Sequence, residues 1–406
     1  MKRERQAPLN VRRAVAALAL GHGVNDLYMG FSPALLPALM DRLHLTYGVV
    51  GSLVTLVTVW THISQPLIGY GADRVGRRYL VVLGPVISAV AMSWLGLVDS
   101  YQGLLLALVI GSIGNAIFHP VGASLVGTVS RGSGHAMAIF SAGGNIGFGL
   151  GSLVIVLVVA HLGLERTWTT VGFGLATAAF MFTSLPRGVE AAAAPRGERA
   201  GAARLHWLGP LLILFVVVVL RAAESTVITT FVPLLLHARG ASLTLGGYAI
   251  FAYSLAGAAG GMLAGPLSGR LGTRWVTVLS LAVAAPAFYL FLHTGGAVAA
   301  TLFLIGGAAL FAALPVNIVM AQQLLPRHAS TASGLVMGLA WGVGAISAKF
   351  VGNGADHLTA SLGEALGLQR ALDYSLLMVV AGAAAALLLP DLRRARPASE
   401  DDVAGQ

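Results

Sequence analysis

The chain has 406 residues, of which 56% are hydrophobic and only 10% charged, with 52 glycines, no cysteine and a formal net charge of +9. Soluble domains carry about 25% charged residues, so this composition, with a mean hydropathy of +0.81, excludes an ordinary water-soluble enzyme or binding module. The missing cysteines remove disulfides, thiolate metal sites and cysteine nucleophiles together.

A bilayer-spanning helix needs about 20 mainly apolar residues. Such runs predict twelve spans, at about 14–40, 47–71, 79–98, 102–128, 133–161, 166–185, 207–236, 244–266, 275–294, 297–323, 330–357 and 370–389. The first run is too long for a cleavable leader and holds Asn25 and Asp26, so it reads as a span. Short loops make consecutive spans antiparallel neighbours. The longest interior connection, 186–206, divides six-span halves at 1–185 and 207–392, and 393–406 reads as a solvated, disordered tail. The expected fold is all-α and integral to the membrane, with twelve transmembrane helices in two six-helix bundles.

Nineteen of the 25 Lys and Arg residues fall on the side of the N-terminus. Arg42, Arg166, Arg239 and Arg370 fall on the other, while Arg221 and Lys349 lie inside spans. Positive loops stay in the cytoplasm, so both termini are expected there, in a multi-pass protein of the inner membrane. The basic charge therefore reports topology, and nucleic acid is not an expected partner.

The halves echo each other at an offset near 195. Gly69, Arg74, Gly76 and Arg78 match Gly265, Arg270, Gly272 and Arg274, and Pro37, Pro120, Gly143 and Gly147 match Pro233, Pro315, Gly338 and Gly342. Parallel six-span repeats are a transporter architecture with binding near the midplane. The loop after span 2 reads Gly69-x-x-x-Asp73-Arg74-Val75-Gly76-Arg77-Arg78. Here the sequence resembles the major facilitator superfamily, whose signature between helices 2 and 3 has this spacing. The resemblance implies that the loop latches the cytoplasmic ends of the halves.

In span 5, Gly143, Gly147 and Gly151 follow the glycine spacing of the superfamily's antiporter motif, with Phe148 and Ser152 departing from it. Glycines at period four let backbones approach, and these, with Gly257, Gly261 and Gly265 of span 8, are expected to form a sliding interface between helices 5 and 8. Gly21-His22-Gly23-Val24-Asn25-Asp26-Leu27-Tyr28, Phe118-His119-Pro120 and the segment Gly334 to Gly342 resemble fosmidomycin-resistance-type exporters.

Ionisable groups inside spans are costly and usually line a cavity or ion path. Seven occur: His22, Asp26, His62, His119, Arg221, Glu224 and Lys349. In the superfamily that the sequence resembles, helices 1, 4, 7 and 10 line the cavity, and five of the seven lie there. His22 and Asp26, one helical turn apart, are candidates for proton coupling together with Glu224; a structural, hydrogen-bonded Asp26 is the alternative. Arg221 offers a fixed cation with bidentate geometry for an anion, and its spacing from Glu224 permits an ion pair across one turn. His119, Asn25, Tyr28 and Asn317 are further candidate substrate contacts. His22 and Asp26 alone are too few ligands for a metal, so neither metal nor cofactor is expected. No nucleotide-binding motif is present, which leaves the proton gradient as the energy source. The expected activity is proton-coupled export of a small, anionic or drug-like molecule by a monomer in the bilayer, with a proton-coupled importer as the alternative. An enzyme is not expected.

Overall fold

The computed structural model describes residues 10–75, 77–131, 133–185, 207–325, 332 and 334–391, without the side chains of 66, 69–75 and 134. The expected linker and tail, the residue Gly76 and the side chains of Asp73 and Arg74, as well as the surroundings of Gly69, lie outside this description. Every regular element in it is helical: α1 (Val11–Met29), α2 (Phe31–Leu43), α3 (Tyr47–Val75), α4 (Arg77–Ser93), α5 (Tyr101–Val129), α6 (Gly134–Leu162), α7 (Val171–Ser184), α8 (Leu208–Ala238), α9 (Leu243–Leu271), α10 (Thr273–His293), α11 (Gly296–Leu324), α12 (Ala340–Gly344), α13 (Ser347–Leu362) and α14 (Glu364–Ala386). Short 3-10 turns precede α5 and α7, and a π-turn at Leu335–Leu339 leads into α12. Twelve helical columns result, because α1 and α2 share the first and the π-turn, α12 and α13 share the eleventh. Nine segments among the described residues are long and apolar enough to cross a bilayer.

The first column breaks where the sequence reading has one continuous span. Pro33 lacks the N–H that would bond Met29 O, and its ring crowds that carbonyl, so the helix interrupts at Gly30. Gly30 then lies against the backbone of Phe148 in α6, where Ser152 Oγ donates to Gly30 O at 2.9 Å. The eleventh column breaks at 345–346, just before α13, and not at Lys349, which is exposed on the helix surface.

The apolar core is divided as the repeat predicts. Two clusters draw on residues 14–185 (for example Phe118, Phe140, Leu125 and Tyr28, Leu35, Ile155), and a larger one draws almost wholly on 211–389. The bundles meet through α3 with α13, α6 with α9, and α2 with α8 and α9.

The contacts between bundles concentrate at the end away from the termini. Asp356 of α13 accepts the backbone N–H groups of Tyr47 and Gly48 at 2.9 Å each, capping α3 from the opposite bundle. A carboxylate there also meets the positive end of the helix dipole. The Tyr47 hydroxyl donates to Glu364 at 2.8 Å, and His237 Nε2 lies 2.9 Å from Asp41 Oδ2. The bundles are thus joined by side-chain hydrogen bonds at the end away from the termini.

Candidate functional site

The two bundles carry their charged groups in different settings. In the first, α1 presents His22, Asn25 and Asp26 toward Asn115 and His119 on α5. Asp26 Oδ1 accepts from Asn25 Nδ2 (3.1 Å), Asn115 Nδ2 (3.2 Å) and His119 Nε2 (3.1 Å). Its Oδ2 stands 3.3 Å from His22 Nε2. His22 Nδ1 lies 2.7 Å from the Phe140 carbonyl, and a carbonyl only accepts, so Nδ1 carries a proton. A neutral His22 would then turn its Nε2 lone pair toward a carboxylate. A proton shared between Nε2 and Oδ2 removes that conflict, so the geometry suits a group that takes up and releases a proton.

The pocket is built by packing as well as by bonding. The Phe140 ring stacks on His22 with centroids 4.2 Å apart, and His119 meets His22 edge-on at 4.8 Å. Ser88 Oγ donates to Asn25 Oδ1 at 3.1 Å, which orients the amide toward Asp26. Side-chain exposure rises from 8% at His22 through 15% at Asp26 to 31% at His119. His119 is therefore the most accessible member of the cluster.

In the second bundle, Arg221 and Glu224 of α8 are both fully buried. The expected ion pair between them is absent: no atom of Arg221 lies within salt-bridge range of the carboxylate, and Nε, Nη1 and Nη2 have no hydrogen-bond partner among the described residues. The guanidinium instead packs 5.0 Å from the ring centre of Trp341 and 5.9 Å from that of Phe311, two cation–π contacts. Glu224 Oε1 accepts from Ser375 Oγ of α14 at 3.2 Å, and Oε2 has no partner among the described residues. Aromatic neighbours on α11 and α12 draw the arginine one way while Ser375 holds the acid another. Ser375 also lines a cleft of about 460 Å³ between α8, α13 and α14, which shares no residue with the Asp26 cluster.

Several sequence expectations change on this geometry. Tyr28 is no substrate contact: it is fully buried, donating to Thr170 O at 2.6 Å and accepting from Gly174 N at 2.9 Å. Asn25 is fully buried and orients Asp26. Asn317 is fully buried too and accepts from Thr277 Oγ1 at 2.8 Å, so its role in this conformation is internal. The glycines Gly143, Gly147 and Gly151 do not face α9. They lie against the α1 backbone at Ala19, Gly23 and Leu27. The α6–α9 contact is made by other residues, with Gly247 on Ser152 and Val156 and Gly149 beside Ser254. In α9, Gly257 faces Phe311 of α11. Arg78 donates to Phe182 O at 2.6 Å and stacks on its ring, tying α4 to α7 inside one bundle. Arg77 is buried as well. His62 is largely buried on α3, beside Gly342 of the other bundle.

The sequence reading did not include Asn115, Ser88 or Ser375. Asn115 had a signal, since it precedes His119 by one helical turn in an otherwise apolar run. Ser375 had none, being joined to Glu224 only by folding. The reading also counted too few metal ligands, because His119 supplies a third beside His22 and Asp26.

The profile of the Major Facilitator Superfamily matches residues 18–348. The Fosmidomycin resistance protein of Escherichia coli (strain K12) is 27% identical over 367 residues, covering 86% of this chain and 87% of that protein. The Probable 4-methylmuconolactone transporter of Cupriavidus pinatubonensis is 28% identical over 391 residues, covering 92% and 89%. Among solved structures, a bacterial homologue of the human lysosomal transporter Spinster, in an inward-facing and occupied conformation, superposes with a TM-score of 0.78 at 17% identity, over 92% of this chain and 95% of that one. The nucleoside transporter NupG gives 0.71 at 15% identity, over 92% and 98%. These structures share the twelve-helix fold described above. Profile, relatives and fold agree: the chain belongs to the Major Facilitator Superfamily and is a multi-pass membrane transporter.

Proposed function

We propose that the protein exports a small anionic or drug-like molecule in exchange for protons, by alternating access, as a monomer of the inner membrane with both termini in the cytoplasm. The observation that carries this reading is Arg221, a fully buried guanidinium with no hydrogen-bond partner among the described residues. Burying an unpaired charge costs several kcal/mol, so such a group is kept for a partner that arrives in another step. A carboxylate or a phosphorus oxyanion matches its bidentate donor edge. The relatives named for fosmidomycin resistance, multidrug resistance and 4-methylmuconolactone transport support a small-molecule cargo.

Asp26 carries the coupling proton, with His22 beside it and the more accessible His119 as relay or ligand. Glu224 supplies a second acid at the Arg221 site. The side-chain bonds between the bundles lie at the end away from the termini, which on this reading is the periplasmic face, so cargo enters from the opposite, cytoplasmic one. The loop of Gly69, Asp73, Arg74 and Gly76 then latches the cytoplasmic end when the bundles rock, while Arg78 anchors α4 to α7 within its own bundle. Gly143, Gly147 and Gly151 let α6 rest directly on α1, so that the two move as one body. The departures at Phe148 and Ser152 from the antiporter pattern favour the second reading, a proton-coupled importer.

Reconstituted protein with candidate anions and an imposed pH gradient of either polarity tests both. Export predicts uphill anion movement against the proton flow, and import predicts movement with it. Anion transport that is unchanged by Arg221→Ala would overturn the assignment of the binding cation.

A further inference from the structure

His22, Asp26 and His119 bring three ligand atoms together from two helices 93 residues apart in sequence. His22 Nε2 is 3.3 Å from Asp26 Oδ2, His119 Nε2 is 3.1 Å from Asp26 Oδ1, and all the ligand atoms lie within 4.8 Å of one another. Zinc binds nitrogen and oxygen at about 2.0–2.2 Å, so its ligand atoms stand roughly 3.3 Å apart in a tetrahedron. Each histidine already stands at about that distance from one oxygen of the carboxylate, and small side-chain rotations would bring the three ligand atoms around one centre.

Three further observations point to a ligand rather than to a closed polar knot. His22 donates its other ring nitrogen to the Phe140 carbonyl, the arrangement that orients a metal-bound histidine. Its Nε2 is buried and makes no well-directed hydrogen bond. A side chain at Gly144 would run into His22 Cε1 and Nε2 and Asp26 Oδ2, so the glycine leaves the volume beside these atoms unfilled. Asn25 and Asn115 hold the carboxylate from the other side.

We propose that His22 Nε2, Asp26 and His119 Nε2 bind one divalent transition-metal ion of the zinc class, with its fourth position open to the cavity. Two imidazoles and one carboxylate suit zinc, cobalt, nickel and copper better than magnesium or calcium, which prefer all-oxygen sites. On binding, the ion takes the place of the proton that His119 now donates to Asp26. Binding does not depend on the transport reading above, since it needs only the three side chains and a path from the His119 side.

The test uses full-length protein purified without a polyhistidine tag and titrated with Co²⁺. The expected result is one ion per chain with visible bands of a low-coordinate site. His22→Gln and His119→Gln should each weaken binding by at least about tenfold. Gly144→Ala, which alters no ligand, should weaken it too, and His161→Gln, on an exposed helix end, should leave it unchanged. Affinity that is the same in both histidine variants, or no uptake up to millimolar Co²⁺, overturns the proposal. Should a histidine variant fail to fold, spin-echo spectroscopy of Cu²⁺ on the unaltered protein counts coordinated imidazoles. Two support the site; one or none overturns it.

Discussion

Asp26 in α1 and Arg221 in α8 are 195 residues apart, the spacing of the internal repeat, yet they are treated in opposite ways. Asp26 accepts three hydrogen bonds at one oxygen, faces an imidazole with the other, and keeps a small part of its side chain accessible. Arg221 has two aromatic neighbours, no exposure and, among the described residues, no side-chain hydrogen bond. A charge whose partners are already in place stabilises the conformation that holds it. A buried charge without partners destabilises that conformation and favours whichever state or ligand provides them. One bundle therefore carries a group that is set in advance, and the other a group that waits for its counterpart.

Removing each charge should break the symmetry most visibly. Asp26→Asn should reduce proton-driven accumulation in proteoliposomes to the level of empty vesicles, while gradient-free counterflow continues. The same change removes the charge and replaces one of the two accepting oxygens facing His119 and His22 by an amide NH2, and should lower stability by about 1–3 kcal/mol. Uphill transport that persists would place coupling elsewhere.

Arg221→Met should have the opposite sign for stability. Anion binding should weaken by at least about 100-fold, as for loss of a buried charged partner, whereas the apparent melting temperature in detergent should rise. The gain expected for replacing an unpaired buried charge by a packed apolar side chain is about 1–4 kcal/mol. A fall in melting temperature would show that the guanidinium has structural partners in solution and would remove the basis of the contrast.

Tyr28→Phe tests the corrected reading of that residue. It strands the Thr170 carbonyl and the Gly174 amide, so a loss of about 1–3 kcal/mol is expected with unchanged substrate affinity. A change in affinity without a change in stability would return Tyr28 to the binding site.

The smallest effect should come from Asp356→Asn, which keeps the shape of the α3 cap but removes its charge. About 1 kcal/mol of capping energy is at stake, enough to loosen the joined end. Because the chain has no cysteine, a single Ser52→Cys reports on this face alone, and its labelling by an impermeant maleimide should quicken in the Asp356 variant. Equal rates would mean that the cap does not hold the bundles together.

The sequence by itself determined the number and order of the helices, the two-bundle repeat and the positions of the intramembrane charges. These follow from local physics: apolar length, the cost of an unbonded backbone in lipid, and the position of each residue along a helix. Even the break at Gly30 was written in Pro33. What only the tertiary structure decided is which neighbour each helix face meets. Arg221 and Glu224 are three residues apart and do not pair, because Trp341 and Phe311 attract one and Ser375 the other. The glycines of α6 meet α1 and not α9, because helix contact depends on the rotation of each helix about its axis, which packing sets and spacing leaves open. His119 joins Asp26 across 93 residues for the same reason, and that junction turns two polar residues on one helix into a three-ligand site.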